Sequence, residues 1–273
     1  MTFLAHAKTC GLIIRDLMAD GRWHRVPTED KPRKRNGAYL YTGDRGVLKN
    51  WATMDGFETW KAEQQQQNVG RQVIKDIQRS FRDERLRHEK ARQEATAIIR
   101  DCDRMTHVYL ASKGFPETTG LVHTSGDLII PMRDVHDYGV VNTVQRIRMD
   151  GSKLFLTGGK AKGSVFVFAR GARGVRYLVE GYATGLSVQT ALIDMRKRCE
   201  VWVCFSSGNL TYVAQFVKRP AIVVADNDES GAGQKAAEAT GLPWVMAPEY
   251  GDANDWHQKH GLRALVKVLL APL

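Results

Sequence analysis

From Tyr177 onward one rhythm repeats: a short run apolar on both faces, a turn, then an amphipathic stretch. The runs are Tyr177-Leu178-Val179, Val201-Trp202-Val203-Cys204-Phe205, Ala221-Ile222-Val223-Val224-Ala225 and Trp244-Val245-Met246. Unbroken apolarity is what a parallel strand needs when helices cover both of its faces. Between the first two runs, Thr184 to Lys197 sets Leu186, Thr190, Ile193 and Lys197 on one stripe and ends in a basic cluster suited to a helix C-terminus. Such a rhythm specifies a βαβ array, an open α/β sheet.

Acids stand where these runs stop. Glu180 ends the first, Asp226 and Asp228 end the third, and Asp252 and Asp255 follow the fourth. The carboxyl ends of strands in an open α/β sheet share one crevice, so these side chains are expected to meet. Hard divalent cations take oxygen ligands and hold phosphates through them, so acids without His or Cys beside them point to phosphoryl chemistry.

The wording around the acids is specific. Glu180-Gly181-Tyr182-Ala183-Thr184-Gly185-Leu186-Ser187, then Ala225-Asp226-Asn227-Asp228 with Gly231 and Gly233 close behind, then Gly251-Asp252-Ala253-Asn254-Asp255-Trp256 resemble the TOPRIM domain of bacterial-type DNA primases, in their phage and plasmid branch. Upstream, Tyr109-Leu110-Ala111-Ser112-Lys113-Gly114-Phe115 resembles the opening of a primase core. The stretch from Gly126 through Arg133-Asp134 and Gln145-Arg146-Ile147 to Lys153-Leu154-Phe155-Leu156-Thr157-Gly158-Gly159 resembles the basic subdomain that precedes TOPRIM. One departure is that two residues separate Asp252 from Asp255, where many primases have Asp-x-Asp. Which of the two faces the metal stays open.

The resemblance implies a TOPRIM domain (Rossmann-like, mostly parallel sheet) over 176–273, preceded by a basic α+β subdomain over 106–175. It implies template-directed joining of ribonucleotides on single-stranded DNA, with Mg²⁺ or Mn²⁺ at Asp226, Asp228 and Asp252 or Asp255. Glu180 is then either a base for the attacking 3′-hydroxyl or a further metal ligand. A TOPRIM nuclease would use similar acids, but would not need the basic subdomain. A non-catalytic single-stranded DNA-binding accessory protein would be expected to lose acids, and none is missing. The 18 residues after Asp255 are expected to leave no room for a topoisomerase body or a fused helicase, so a helicase partner is expected to be separate or docked through the first unit.

The formal charge is +10 and is unevenly spread: residues 1–173 hold 30 Lys and Arg against 20 acids, and residues 174–273 hold 10 of each. A basic half beside an acidic, metal-binding half suits a nucleic-acid polymerase. Arg133, Arg146, Arg148, Lys153, Lys160 and Lys162 are the candidates for template and triphosphate, with Gly158-Gly159-Lys160-Ala161-Lys162-Gly163 a flexible basic loop. The loop lacks P-loop spacing. Each of these charges has the alternative of a plain solvated surface.

Residues 1–60 alternate short aromatic, β-prone pieces with turns, a pattern that suits a small module gripping single strands by stacking through Trp23, Arg25, Tyr39 and Trp51. The same aromatics could simply build a core. This unit stands where primases carry a zinc ribbon, yet Cys10, Cys102, Cys199 and Cys204 are scattered without ligand spacing, so no zinc is expected. Residues 61–105 read as one long connector helix, with Val69, Val73, Ile77 and Phe81 four apart and Gly70 as a flex point. No leader and no apolar run of membrane-spanning length is present, which makes the expectation a cytoplasmic protein without membrane contact.

Overall fold

The computed structural model describes residues 1–62 and 69–271, side chains excepted over 69–78. The chain divides into two units, Met1–Leu86 and Arg87–Leu273.

In the first unit, helix α1 (Phe3–Thr9) precedes a four-stranded antiparallel sheet of β1 (His24–Val26), β2 (Gly37–Tyr41), β3 (Arg45–Asn50) and β4 (Glu58–Lys61), in that order. Thr2 caps α1 through its hydroxyl. The row His24, Tyr39, Leu48 lies on one face and the row Arg25, Ala38, Lys49 on the other. Phe3 and Ala7 of α1 pack with Tyr39, Leu48 and Leu12 into a small core. Gly46 lets Phe3 lie flat on β3, since a Cβ there would clash with that ring.

The division falls within α2 (Val69–Arg100). The expected helix over 61–105 is therefore shorter at both ends: Lys61 closes β4, and Cys102 opens β5 (Cys102–Thr106). Charge and Gln content cannot mark those ends, because both strands are exposed and carry polar residues. The side chains of Val69, Gly70, Val73 and Ile77 lie outside the described residues, and with them the expected stripe and flex point. The C-terminal turns of α2 bury Ala95, with Ile98 and Ile99, against Ile129 and Val144.

The second unit is built on one ten-stranded sheet. Its elements run α3 (Val108–Ser112), β6 (Thr119–His123), β7 (Leu128–Asp134), β8 (Val141–Ile147), β9 (Lys153–Phe155), β10 (Ser164–Phe168), β11 (Arg176–Val179), α4 (Tyr182–Asp194), β12 (Glu200–Val203), α5 (Ser207–Ala214), β13 (Ala221–Ala225), α6 (Ala232–Ala239), β14 (Trp244–Met246), α7 (Ala253–His260) and α8 (Leu262–Leu269). The path is β14-β13-β11-β12-β10-β7-β6-β5, with β8 and β9 branching from β7. β14, β13, β11 and β12 are parallel, as their apolar runs require. β10 joins β12 antiparallel on one side and β7 antiparallel on the other. The basic segment and the acidic segment thus share one continuous sheet.

Leu178, Val179, Val201, Val203, Val223 and Val224 are all buried to within 1%. Around α4 the expected stripe is corrected. Leu186, Val188, Ala191 and Leu192 are buried, whereas Ile193 is 63% exposed. A helix packed on a sheet and against α7 and α8 is covered over more than one stripe, so a single row of every third or fourth residue understates its core.

Candidate active site

The carboxyl ends of β11 and β13 carry Glu180 and Asp226, and a loop after β14 delivers Asp252. That loop is tied down by a two-way backbone pairing in which Asn227 N–H donates to Gly251 O (2.9 Å) and Gly251 N–H to Asn227 O (2.8 Å). Asn227 also donates its side-chain amide to Ala247 O at 2.9 Å. The residue between the two Asp therefore acts as a tie that brings Asp252 up to Asp226. Gly251 sits at φ 124°, and a Cβ there would press on Asp255 Oδ2 at 2.9 Å, so only glycine turns this corner.

Asp252 is the N-cap of α7, accepting from the amides of Asn254 (2.7 Å) and Asp255 (3.0 Å), while Asp255 Oδ2 accepts from Asp252 N–H at 3.1 Å. The pair forms a capping box. Thr184 of α4 donates its hydroxyl to Asp252 Oδ2 at 3.0 Å. Asn254, fully buried, donates to Ser187 Oγ and to Lys113 O, both at 2.9 Å. These bonds fix α7 to α4 and to the residues after α3. Asp255 Oδ1 lies 3.8 Å from Lys113 Nζ.

Asp228 is held as firmly. Its carboxylate accepts from the Ser230 hydroxyl, from Ala232 N–H at 3.1 Å and from Gly233 N–H at 3.0 Å, the opening of α6. Those bonds lower its pKa to about 2. Gly233 packs directly on the backbone of Asp226, where a Cβ would clash with Asp226 O.

Asp226 differs from its neighbours. Its Oδ1 is buried and accepts no hydrogen bond. Burial first, then the charges of Asp252, Glu180 and Asp228, push its pKa up to about 7, with Lys153 pulling the other way. Glu180 is raised for the same reasons, burial and then Asp228, against Lys153 and the Ser207 amide. A buried carboxylate oxygen with no donor, crowded by like charges, is what a cation would relieve. Among the described residues no three or more Asp, Glu, His or Cys side chains are grouped closely enough to hold a metal ion as they stand. The donor set nonetheless fits a hard divalent ion centred on Asp226, with Glu180 and Asp252 nearest in charge and nothing but oxygen offered.

The Toprim domain family matches residues 175–263, which contain every one of these acids. Residues 175–263 are a Toprim domain. Among solved structures the chain is similar to the primase domains of bacteriophage T7 seen with that phage's lagging-strand DNA polymerase, an RNA/DNA hybrid and dTTP. There the identity is 15% and the TM-score 0.45, over 63% of this chain and 93% of that chain. It is also similar to the primase fragment of the T7 primase-helicase protein, at 18% identity and TM-score 0.41 over 52% of this chain. A third is the RNA polymerase domain of Mycobacterium tuberculosis primase DnaG, at 18% identity and TM-score 0.38 over 54% of this chain. The chain spans 62% and 55% of the latter two chains' lengths. No curated protein matches the chain.

Of the basic residues singled out in the sequence, Lys153 comes to the Toprim acids. It lies on β9, its charge is felt by both Glu180 and Asp226, and its ammonium stands 5.8 Å from the centre of the Tyr109 ring. Arg146 goes elsewhere. Register puts it opposite Leu154, on the sheet face away from Lys153, and it grips Asp127 Oδ2 through Nε (2.9 Å) and Nη2 (2.6 Å). Lys160 donates to Asp134 Oδ2 at 2.9 Å. Arg133 stacks on Tyr138 at 5.4 Å and donates to Tyr138 O at 3.2 Å. Lys162 sits over the Tyr212 ring at 4.6 Å, and Arg148 is exposed in the turn after β8.

Two residues near the acids carried no role in the sequence reading. Tyr109 is buried with its hydroxyl unpartnered, and burial followed by Asp252 raises its pKa to about 12. Lys113 faces Asp255. Both fall in the Tyr109-to-Phe115 stretch that resembles the opening of a primase core, so the signal was present without its geometry.

In the first unit, Arg25 lies 4.1 Å above the Trp51 ring, and Trp51 is 44% exposed. Trp23 pairs with Phe57 at 5.5 Å. Tyr39 is corrected from an exposed stacking residue to core: it is 1% exposed, and its hydroxyl accepts from Met18 N–H at 3.0 Å and donates to Asp16 O at 3.2 Å. Alternation along β2 turns it towards α1, away from the Arg25 and Lys49 face. Cys199 and Cys204 are buried, Cys10 and Cys102 half-buried. Among the described residues no helix is long and apolar enough to cross a membrane.

Proposed function

We propose that this chain is a primase of the phage or plasmid kind, a nucleotidyltransferase that joins ribonucleotides on a single-stranded DNA template with Mg²⁺ or Mn²⁺. The observation that carries the reading is the unpartnered, buried Asp226 Oδ1, pressed by Glu180 and Asp252 at the strand ends of a Toprim domain.

Asp226 is the central metal ligand, with Glu180 and Asp252 beside it. Asp252 rather than Asp255 is assigned to the metal, because its charge bears on Asp226 while Asp255 is turned to Lys113. Asp228 keeps its local negative charge through the amides of α6 and contributes to the field at Glu180. When bound, the cation neutralises the triphosphate and the charge that develops as pyrophosphate leaves. Glu180, whose pKa is raised by burial and then by Asp228, is suited to take the proton of the attacking 3′-hydroxyl. Lys153 holds a phosphate at the rim. Trp51 with Arg25, and Trp23 with Phe57, offer stacking surfaces for template bases in the first unit.

A gel assay with single-stranded template, labelled ribonucleotides and Mg²⁺ or Mn²⁺ tests the reading. New template-dependent short products are expected. Shortened template would make the chain a nuclease, and a band shift without products would make it a binding module.

A further inference from the structure

Beside the acids of the Toprim domain stands an aromatic pair with no role so far. Phe155 ends β9, a strand that pairs with β8 alone among the described strands. Alternation sets Lys153 and Phe155 on one face and Leu154 on the other. The Lys153 face also carries Ile147, which is buried with Tyr177 and Val179 of β11. It is therefore the face turned to the Toprim strands, and from it the charge of Lys153 bears on Glu180 and Asp226. The Phe155 ring meets the Phe205 ring edge-on, at 6.4 Å and 82°.

Phe205 is tied to the same crevice. Its N–H donates to Glu180 O at 2.8 Å, and its backbone sits at φ 69°. A bulky side chain is rare in left-handed backbone, and here the turn that carries that conformation places the ring against Phe155. Phe155 itself stays 46% exposed, in a strand whose three residues are all exposed. A flat apolar face left open next to a cation and a cluster of carboxylates matches one kind of molecule: a planar base joined to a phosphate chain.

We propose that Phe155, braced by Phe205, is the stacking platform for the base of the incoming nucleoside triphosphate, whose phosphates lie at Lys153 and the acid crevice. The proposal rests on the nucleotidyl-transfer reading above. Residues two apart on a strand are about 6.6 Å apart, so Lys153 and Phe155 can take the phosphate and the base of one nucleotide. Stacking on an aromatic ring tolerates every base because each has a π-face. Such a platform suits a polymerase whose template, not its pocket, chooses the base.

The test is calorimetric binding of ATP, and separately of inorganic tripolyphosphate, to the full chain with Mn²⁺ and no template. Tripolyphosphate keeps the charge and lacks the base. Phe155→Leu should weaken ATP at least about fivefold, within the range of lost base stacking, and leave tripolyphosphate within about twofold. Phe155→Trp, which enlarges the π-face, should bind ATP as tightly as the parent or more so. Equal loss of both ligands in Phe155→Leu would make the ring a mere support for Lys153 and overturn the platform. So would unchanged ATP binding, or a loss confined to single-stranded DNA, which would give the ring to a template base. If the parent binds tripolyphosphate and ATP equally, the phosphate site stands and the platform falls. If it binds neither, the nucleotide reading fails and takes the platform with it.

Discussion

Asp226→Asn should make the protein more stable and the site useless, and the pH dependence of the first effect is what identifies its cause. In the folded chain the Asp226 carboxyl titrates near 7 instead of 3.8, because burial and the neighbouring acids oppose its charge. A raised carboxyl value means that the folded state holds the proton more tightly than the unfolded state. Stability is therefore undiminished below about pH 4, falls as pH rises, and reaches its full loss above about pH 7. That loss is on the order of 4 kcal/mol for a displacement of this size. Asn keeps the size and removes the charge. The variant should exceed the parent by about 2–4 kcal/mol at pH 8, a rise in Tm of roughly 5–10 °C for a folded unit of this length, and match it near pH 4. Thermal unfolding in EDTA at both pH values measures this. Mg²⁺ at pH 8 should then raise the Tm of the parent and leave the variant nearly unmoved, because a ligand stabilises only the state that binds it. A variant no more stable than the parent at pH 8, or equally advantaged at pH 4, would refute the account of a crowded, unpartnered carboxylate.

Other outcomes follow from the same geometry. Asp226→Asn with Asp228→Asn should lower primer synthesis at least about a thousandfold, as expected when metal-borne charge stabilisation of several kcal/mol is lost, and leave single-stranded DNA binding intact in a filter assay. Trp51→Ala should weaken single-stranded DNA binding by about 1–3 kcal/mol, the worth of a stacked base. Tyr39→Phe, whose lost hydroxyl bonds lie in the core, should cost about 1 kcal/mol of stability and no DNA affinity. Arg146→Ala should destabilise by about 1–3 kcal/mol in chemical denaturation, because the Asp127 carboxylate it grips is 14% exposed and would lose both bonds.

The strands that carry the site were legible because parallel strands covered on both sides admit little but apolar residues. The runs at 221–225 and 244–246 coincide with β13 and β14. The acids were legible because they end those runs. What the sequence hid is what depends on alternation and on partners. Tyr39 and Trp51 are both aromatic residues in or beside short strands, yet one is 1% and the other 44% exposed. Periodicity over five residues cannot say which face meets α1. Arg146 and Lys153 lie in the same family-like stretch, yet one is spent on Asp127 while the other faces the crevice. A charge in a sequence does not reveal its counter-charge. The ends of α2 were hidden for a related reason, since the flanking strands β4 and β5 are exposed edges without an apolar run.

Where the basic side chains lie decides how the site handles triphosphate. Arg133, Arg146 and Lys160 are engaged by carbonyls or carboxylates of the chain itself. Around Asp226, by contrast, the acids Glu180, Asp228 and Asp252 all raise its pKa, and Lys153 opposes them. A crevice so charged repels a triphosphate unless divalent cations reverse its sign. Binding of ATP should therefore depend on metal far more steeply than binding of single-stranded DNA. Replacing Mn²⁺ by EDTA at constant ionic strength should lower ATP affinity at least about a hundredfold, the order expected when several kcal/mol of charge neutralisation is withdrawn. Affinity for single-stranded DNA, which the proposed function assigns to rings and cations elsewhere, should change by less than about twofold, because its counterion balance is set by the salt and not by the chelated ion. Calorimetry with each ligand measures both. If ATP binds as well in EDTA, side chains rather than metal hold the phosphates, and Lys153 and Lys113 would have to carry a load that the surrounding acids oppose.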